Sequence, residues 1–213
     1  MSKNKYHDYV FKDGVFVGQF ELMYKDSGEI PWHQNKTAKD IFTDLDLLIL
    51  KHMQARHDFK SVVEIGCGLG FVCNRVYSEV ENLDKVSGID ISQTALKKAR
   101  QSFPQISFFQ ANLLETVSAD WEECWDVVIS KEVLWYVLEN LQVFCHNLAF
   151  MSSKYIFISQ SFPAKKPYFG QDIFPDAKAM LDFFSKTFKP LYSCIEKDGN
   201  FADRELLHLF LSK

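Results

Sequence analysis

The sequence has no Cys-x-x-Cys pair, no Gly-Lys-Ser/Thr phosphate loop and no internal repeat. It also has no apolar run near the roughly 18 residues that a membrane span needs. Each absence removes a class of protein. Five scattered cysteines (Cys67, Cys73, Cys124, Cys145 and Cys194) argue against both a disulfide framework and a zinc site, and fit a reducing, cytoplasmic setting. No His or carboxylate cluster has metal-binding spacing, so no metal is expected. The opening MSKNKYHDYV has neither an apolar core nor a small-residue cleavage site, so no secretory signal or membrane anchor is expected. Basic residues are not in excess: 24 Lys and Arg stand against 28 Asp and Glu, a net charge of -4, which argues against a nucleic-acid substrate. Glycine and proline are few, nine and six in 213 residues, which excludes linker-like or collagen-like chains.

What remains is a globular chain, 47% hydrophobic, of a size for one domain and one core, with no linker to divide residues 1–213. Apolar spacing predicts an amphipathic helix over 37–55, ahead of the core. Strands are predicted at Ser61–Ile65, Lys85–Asp90, Ile106–Gln110, Trp125–Ser130 and Tyr155–Gln160. Between them lie helices over 71–80, 92–103 with Ser92 as its cap, and 138–151. Such alternation predicts an α/β fold with a parallel sheet covered by helices on both faces. Residues 161–175, with three prolines and four aromatics, read as a long loop. A helix over 176–188 follows it. Two strands, 189–197 and 204–212, joined through Asp198, Gly199 and Asn200, then suggest an antiparallel hairpin added to the sheet.

The most informative stretch is VVEIGCGLG, in which a buried-type strand runs into Gly66, Cys67, Gly68, Leu69 and Gly70. Glycines at a strand's carboxyl end allow a sharp turn and a close ligand approach, at the place where open α/β sheets bind ligands. A dinucleotide fingerprint would need glycine where Phe71 stands, so an NAD-linked oxidoreductase is the weaker reading. Asp90 ends the next strand, where a carboxylate can accept both hydroxyls of a ribose.

Glu-Ile-Gly-Cys-Gly-Leu-Gly and Gly-Ile-Asp-Ile-Ser resemble the first two motifs of class I S-adenosylmethionine-dependent methyltransferases, over roughly residues 60–212. The resemblance implies the Rossmann-like fold of that family, a mostly parallel seven-stranded sheet with an antiparallel C-terminal hairpin, and S-adenosylmethionine as cofactor. It places Glu64 and Gly66, Cys67, Gly68 and Gly70 at the methionine part, Asp90 at the ribose, Ile91 on an adenine face, and Asn112 and Leu113 at the adenine edge. Where the family often has Asp, Asn112 can still offer its carbonyl to the adenine amino group. Ser130, Lys131 and Glu132 end the fourth strand, facing the transferable methyl group. The segment lacks the Asn/Asp-Pro-Pro-Tyr/Phe signature of enzymes that methylate base amines or protein amides. SKEVLWYV and PWHQ are similar to nodulation-type (NodS-like) sugar N-methyltransferases, which implies transfer to N or O of a small molecule.

Residues 15–36 are aromatic and polar without a clear period; in related enzymes such segments form a lid over the cofactor, part of an N-terminal segment 1–56 ahead of a core 57–213. Met23, Tyr24, Trp32 and His33 are candidates to close it, with Trp32 facing the cofactor; as a bare sequence feature, Trp32 also suits a core anchor and His33 a surface residue. His33, Glu132 and Tyr136 are candidate bases. In the loop 161–175, Phe162, Tyr168 and Phe169 suit an apolar acceptor wall, and Lys165 and Lys166 an anionic acceptor group. A S-adenosylmethionine-binding partner subunit without catalysis is the alternative from another class.

Overall fold

The structure, a computed structural model, describes residues 6–27, 29–198 and 204–213. Along the chain, β1 (Phe11–Lys12), β2 (Val15–Phe16), α1 (Phe20–Asp26), α2 (Gln34–Thr37) and α3 (Ile41–His57) precede β3 (Ser61–Ile65). There follow α4 (Phe71–Glu79), β4 (Lys85–Asp90), α5 (Gln93–Ser102), β5 (Ser107–Gln110), β6 (Trp125–Lys131), α6 (Leu141–Met151), β7 (Ser152–Phe162), α7 (Ala177–Phe184), β8 (Lys189–Asp198) and β9 (Arg204–Ser212). The strands β3 to β9 form a mostly parallel, seven-stranded sheet in the order β5-β4-β3-β6-β7-β9-β8. The C-terminal hairpin is antiparallel, as expected; Gly199 and Asn200 of its turn lie outside the described residues.

By compactness the chain divides into two units, Met1–Lys60 with Gly66–Asn112, and Ser61–Ile65 with Leu113–Lys213. In the first, β4 and β5 pair in parallel from Ser87↔Ser107 to Asp90↔Gln110, and α4 and α5 pack on them. Ala95, Leu96 and Ala99 of α5 are buried, and Ser92 caps that helix by accepting from the N–H of Ala95 at 3.1 Å. Residues 15–36, aperiodic in sequence, carry β2, which closes a short hairpin with β1, then α1 and a 3-10 turn at Pro31–His33. α3 starts later than its apolar spacing suggests, because Asp40 caps it by accepting from Thr43 N at 2.9 Å.

In the second unit β3, β6 and β7 are parallel, and β9 runs antiparallel to β7 and β8. Val62, Val63 and Ile65 of β3, Val127 to Ile129 of β6 and Ile156 to Ile158 of β7 are buried, as expected of strands covered on both sides. Asp126 fastens the strand starts together, accepting from Ser61 N at 3.3 Å and from the Ser153 hydroxyl at 3.1 Å. β7 reaches Phe162, so the first two residues of the expected loop 161–175 belong to the strand.

Candidate cofactor and acceptor sites

In the first unit the glycine turn is held by its neighbours. Cys67 N–H donates to the Ile89 carbonyl at 3.0 Å, and Gly70 N–H to the Cys67 carbonyl at 2.9 Å. Gly66, Gly68 and Gly70 all have positive φ, where an L side chain is strained. Their surroundings differ. A Cβ on Gly70 would stand 2.7 Å from the Phe108 ring and 3.3 Å from Ala99, so Gly70 serves the packing of α5 and β5. A Cβ on Gly68 would stand 2.5 Å from both the Gln34 amide nitrogen and the Tyr24 hydroxyl, so the space over Gly68 is roofed by the N-terminal segment.

Asp90 is buried beneath this turn. One carboxylate oxygen accepts from Gly68 N–H at 2.8 Å and the other from Ser92 N–H at 2.8 Å. Burial pushes its carboxyl up to about 6, against the backbone N–H groups of Ser92, Gly68 and Ile91 that favour the charged form. A carboxylate only accepts and offers about four lone-pair sites, the chemistry that a vicinal diol, a pair of donors, requires. Next to it, Ile91 is exposed to the extent of 43%, an apolar face available to a flat ring. Asn112 is half-buried two residues beyond β5, whose last residue Gln110 pairs with Asp90.

The roof is latched by side chains that sequence reasoning did not single out. Gln34 accepts from Leu69 N–H at 2.9 Å and donates to the Tyr24 hydroxyl at 2.8 Å. From α1, Glu21 accepts from the Ser92 hydroxyl at 2.7 Å, Thr94 N–H at 3.1 Å and the Thr94 hydroxyl at 2.5 Å, which holds its carboxyl below the ordinary value. Lys98 donates to the Tyr24 carbonyl at 2.5 Å. Met23 and Tyr24 are buried. Trp32 is half-buried among the rings of Tyr6, Phe20 and Tyr24, with centroids 5.7, 6.3 and 6.4 Å away. His33 is exposed, with the Tyr6 ring 6.2 Å from its own. No clear period in 15–36 pointed to α1, and Gln34 entered the sequence reading only as the last residue of PWHQ, without a role.

In the second unit Glu64 is buried and paired with Ile129, and Ser130 is paired with Ile65, the residue that leads into Gly66. The hydroxyls of Ser130 and Ser159 are buried and have no hydrogen-bond partner among the described residues. Leu113 is buried, and its carbonyl accepts from the Asn147 amide at 3.0 Å. Lys131, half-buried, is paired with Ser159. Tyr136 is half-buried at the end of the 3-10 turn Leu134–Tyr136.

Glu132 has a left-handed backbone, φ 57°, which costs an L-residue about 1–2 kcal/mol. Its N–H donates to the Ser159 carbonyl at 2.9 Å, extending the β6–β7 ladder by one bond. One carboxylate oxygen accepts from Ser161 N–H and from the Gln160 amide at 3.2 Å; the other accepts from the Ser161 hydroxyl at 2.7 Å. Burial pushes this carboxyl up, opposed by Lys131 and by the bonds from Ser161. The Gln160 amide oxygen in turn accepts from Leu134 N–H at 3.2 Å.

Within the 161–175 segment, Phe162 is buried against Trp135, centroids 5.2 Å apart, and so forms a base for the segment rather than an exposed wall. The Tyr168 ring also packs on Trp135 at 5.5 Å, and its hydroxyl donates to the Phe174 carbonyl at 2.8 Å. Lys166 donates to the Pro175 carbonyl at 3.1 Å, whereas Phe169 is exposed. Among the described residues no three His, Cys, Asp or Glu side chains group as a metal site, and no helix is long and apolar enough to cross a membrane.

Residues 56–197 match the family described as a methyltransferase domain. A putative methyltransferase, 235L of Invertebrate iridescent virus 6, is 28% identical over 94 residues, 44% of this chain. That match spans about a third (34%) of the viral protein's length. Among solved structures, the N-methyltransferase NodS of Bradyrhizobium japonicum WM9 in complex with S-adenosyl-L-homocysteine is similar with a TM-score of 0.64. It is 16% identical, over 91% of this chain and 98% of that one. Magnesium protoporphyrin IX methyltransferase of Synechocystis PCC 6803, with bound S-adenosylmethionine, has a TM-score of 0.58 and 16% identity over 97% and 94% of the two chains. At such identities these likenesses speak for the fold.

Proposed function

We propose, from the premise that this chain belongs to the methyltransferase domain family, that it binds S-adenosylmethionine and transfers the methyl group to nitrogen or oxygen of a small molecule. The observation that carries the reading is Asp90, buried at the end of β4 and oriented by the N–H groups of Gly68 and Ser92. That is a receptor for a ribose diol beside a glycine turn whose missing Cβ leaves room for a ligand or for the roof above it. Bound S-adenosylmethionine supplies a methyl group already activated by a positively charged sulfur.

This chain's residues then bind, orient and exclude water. Asp90 would accept the ribose hydroxyls, Ile91 would cover an adenine face, and Asn112 would flank its edge. Gly66, Cys67 and Gly68 would border the methionine part. The rings of Tyr24 and Trp32 would keep water from the sulfonium. Methyl transfer needs alignment above all, and a base chiefly for hydroxyl acceptors. Of the three candidate bases, exposed His33 and half-buried Tyr136 remain suited to receiving a proton; the Glu132 carboxylate already accepts three bonds. A small acceptor is favoured by the absence of a basic excess in a chain of net charge -4.

Titration calorimetry of the wild-type protein tests this reading. S-adenosylmethionine and S-adenosylhomocysteine should both bind with 1:1 stoichiometry and NAD should not. Binding of NAD in preference to S-adenosylmethionine would overturn it.

A further inference from the structure

We infer that Glu132 is a positioning residue: its carboxylate latches the segment entered at Ser161 to the end of β6, and so sets the shape of the acceptor side rather than taking the acceptor's proton. The role rests on reading the segment 161–175 as that side. The latch itself stands on geometry inside one unit.

Three donors converge on this one carboxylate, Ser161 N–H, the Ser161 hydroxyl and the Gln160 amide, and both oxygens are engaged. Three of the carboxylate's roughly four lone-pair sites are thus taken by residues 160 and 161, which commits the group to the neighbouring strand. The bonds also form a closed circuit. Gln160 passes from Glu132 to Leu134 N–H, and the Trp135 indole N–H returns to the Ser161 carbonyl at 3.1 Å. Trp135 is the surface on which the rest of the segment sits. Phe162 and Tyr168 pack against its ring, and a Cβ on Gly170 would stand 2.3 Å from Leu138 and 3.2 Å from the indole. The left-handed backbone of Glu132 has a reason in this arrangement: it turns the carboxylate back onto β7 while its own N–H keeps the ladder bond to Ser159.

The chemistry offers a discriminating substitution. In Glu132→Gln the amide oxygen can accept from Ser161 N–H and Gln160, and the amide nitrogen can donate to the Ser161 hydroxyl, which accepts as readily as it donates. All three bonds survive without a base. In Glu132→Ala none does.

Amide hydrogen exchange followed by mass spectrometry, on the full chain without acceptor or cofactor, reads the latch directly. Glu132→Ala should speed exchange across 161–175 by about tenfold or more, and Glu132→Gln should stay within about threefold of wild type, with peptides covering 66–102 unchanged in both. Wild-type exchange in Glu132→Ala, or Glu132→Gln as fast as Glu132→Ala, overturns the inference. If Glu132→Ala fails to fold, Ser161→Ala decides: it removes one bond and should speed the same peptides about two- to fivefold, and no change overturns the latch. Because neither cofactor nor acceptor enters the measurement, its failure is distinguishable from a failure to bind S-adenosylmethionine.

Discussion

If Asp90 receives the ribose, cofactor affinity should fall with acidity, and the structure sets how far. The carboxyl is pushed from the ordinary 3.8 to about 6, chiefly by burial, a preference for the neutral form of about 3 kcal/mol. A ribose diol donates to the carboxylate, so binding selects the ionised form. At pH 5 about nine tenths of unliganded molecules would hold Asp90 neutral, against very few at pH 7.5, so the Kd for S-adenosylhomocysteine should rise about tenfold between the two. Folding stability should move the other way. With the folded value raised, this group's contribution is fully present below pH 3.8 and is lost as the pH rises through about 6. Asp90→Ala sheds the buried charge but strands the N–H groups of Gly68 and Ser92, about 1–3 kcal/mol each. The two effects oppose, and the variant should fold. Its cofactor affinity should drop by about 1.5–3 kcal/mol, and the pH dependence should vanish. Calorimetry at pH 5, 6 and 7.5 on both proteins provides the check. A wild-type Kd independent of pH, or the same slope in Asp90→Ala, would refute the ribose assignment.

Gly68→Ala should drive Gln34 and Tyr24 from their seats and weaken S-adenosylmethionine binding about five- to fiftyfold by calorimetry, since its Cβ meets both within 2.5 Å and φ there is 53°. Glu21→Ala should loosen α1, with faster amide exchange over 20–26 and a loss of about 1 kcal/mol in urea unfolding at pH 7. Because the Glu21 carboxyl is held below its ordinary value, its stabilisation is present at neutral pH and fades as acid carries the pH down through the lowered value. Replacing Tyr168 and Phe169 together with Ala should change S-adenosylmethionine affinity by less than about twofold while raising the acceptor KM or lowering kcat, measured as S-adenosylhomocysteine release. Poor cofactor binding with intact acceptor kinetics would assign that segment to the cofactor instead.

The strands that carry the cofactor residues were legible because their signal is local. SVVEI, KVSGID and WDVVIS are short, buried, β-branched runs ended by glycine, a cap or a turn, and Ser92 caps α5 where its sequence position suggests. α1 was not legible. Its seven residues have no strong period, and what holds them is Glu21 reaching Ser92 and Thr94, some seventy positions away. Gln34 belongs to the PWHQ motif, but its role is invisible for the same reason, since an amide becomes a clamp only when Leu69 N–H is brought to it. The three glycines of the turn look alike in sequence, yet Gly70 answers to Phe108 and Gly68 to the roof; that division depends on packing, which no spacing encodes. At the other end, Glu132 reads as a site carboxylate by position, whereas its partners, Gln160 and Ser161, arrive from the neighbouring strand.

The side-chain amide of Gln34 on Leu69 N–H makes the glycine turn dependent on residues some thirty-five positions upstream. A chain trimmed to start at Asp40 would keep β3 to β9 and lose this partner, the Tyr24 hydroxyl and the Glu21 carboxylate at one stroke. The turn and the first turn of α5 would then have only the bonds made within the turn, β4 and α5, those of Asp90 among them, and, when present, the cofactor to organise them. Ligand-linked stabilisation grows with the logarithm of ligand concentration over Kd. The trimmed protein should therefore melt lower without ligand and need more S-adenosylhomocysteine to regain a given Tm, so the stretch from Glu21 to Gln34 behaves as a tethered co-ligand of the turn.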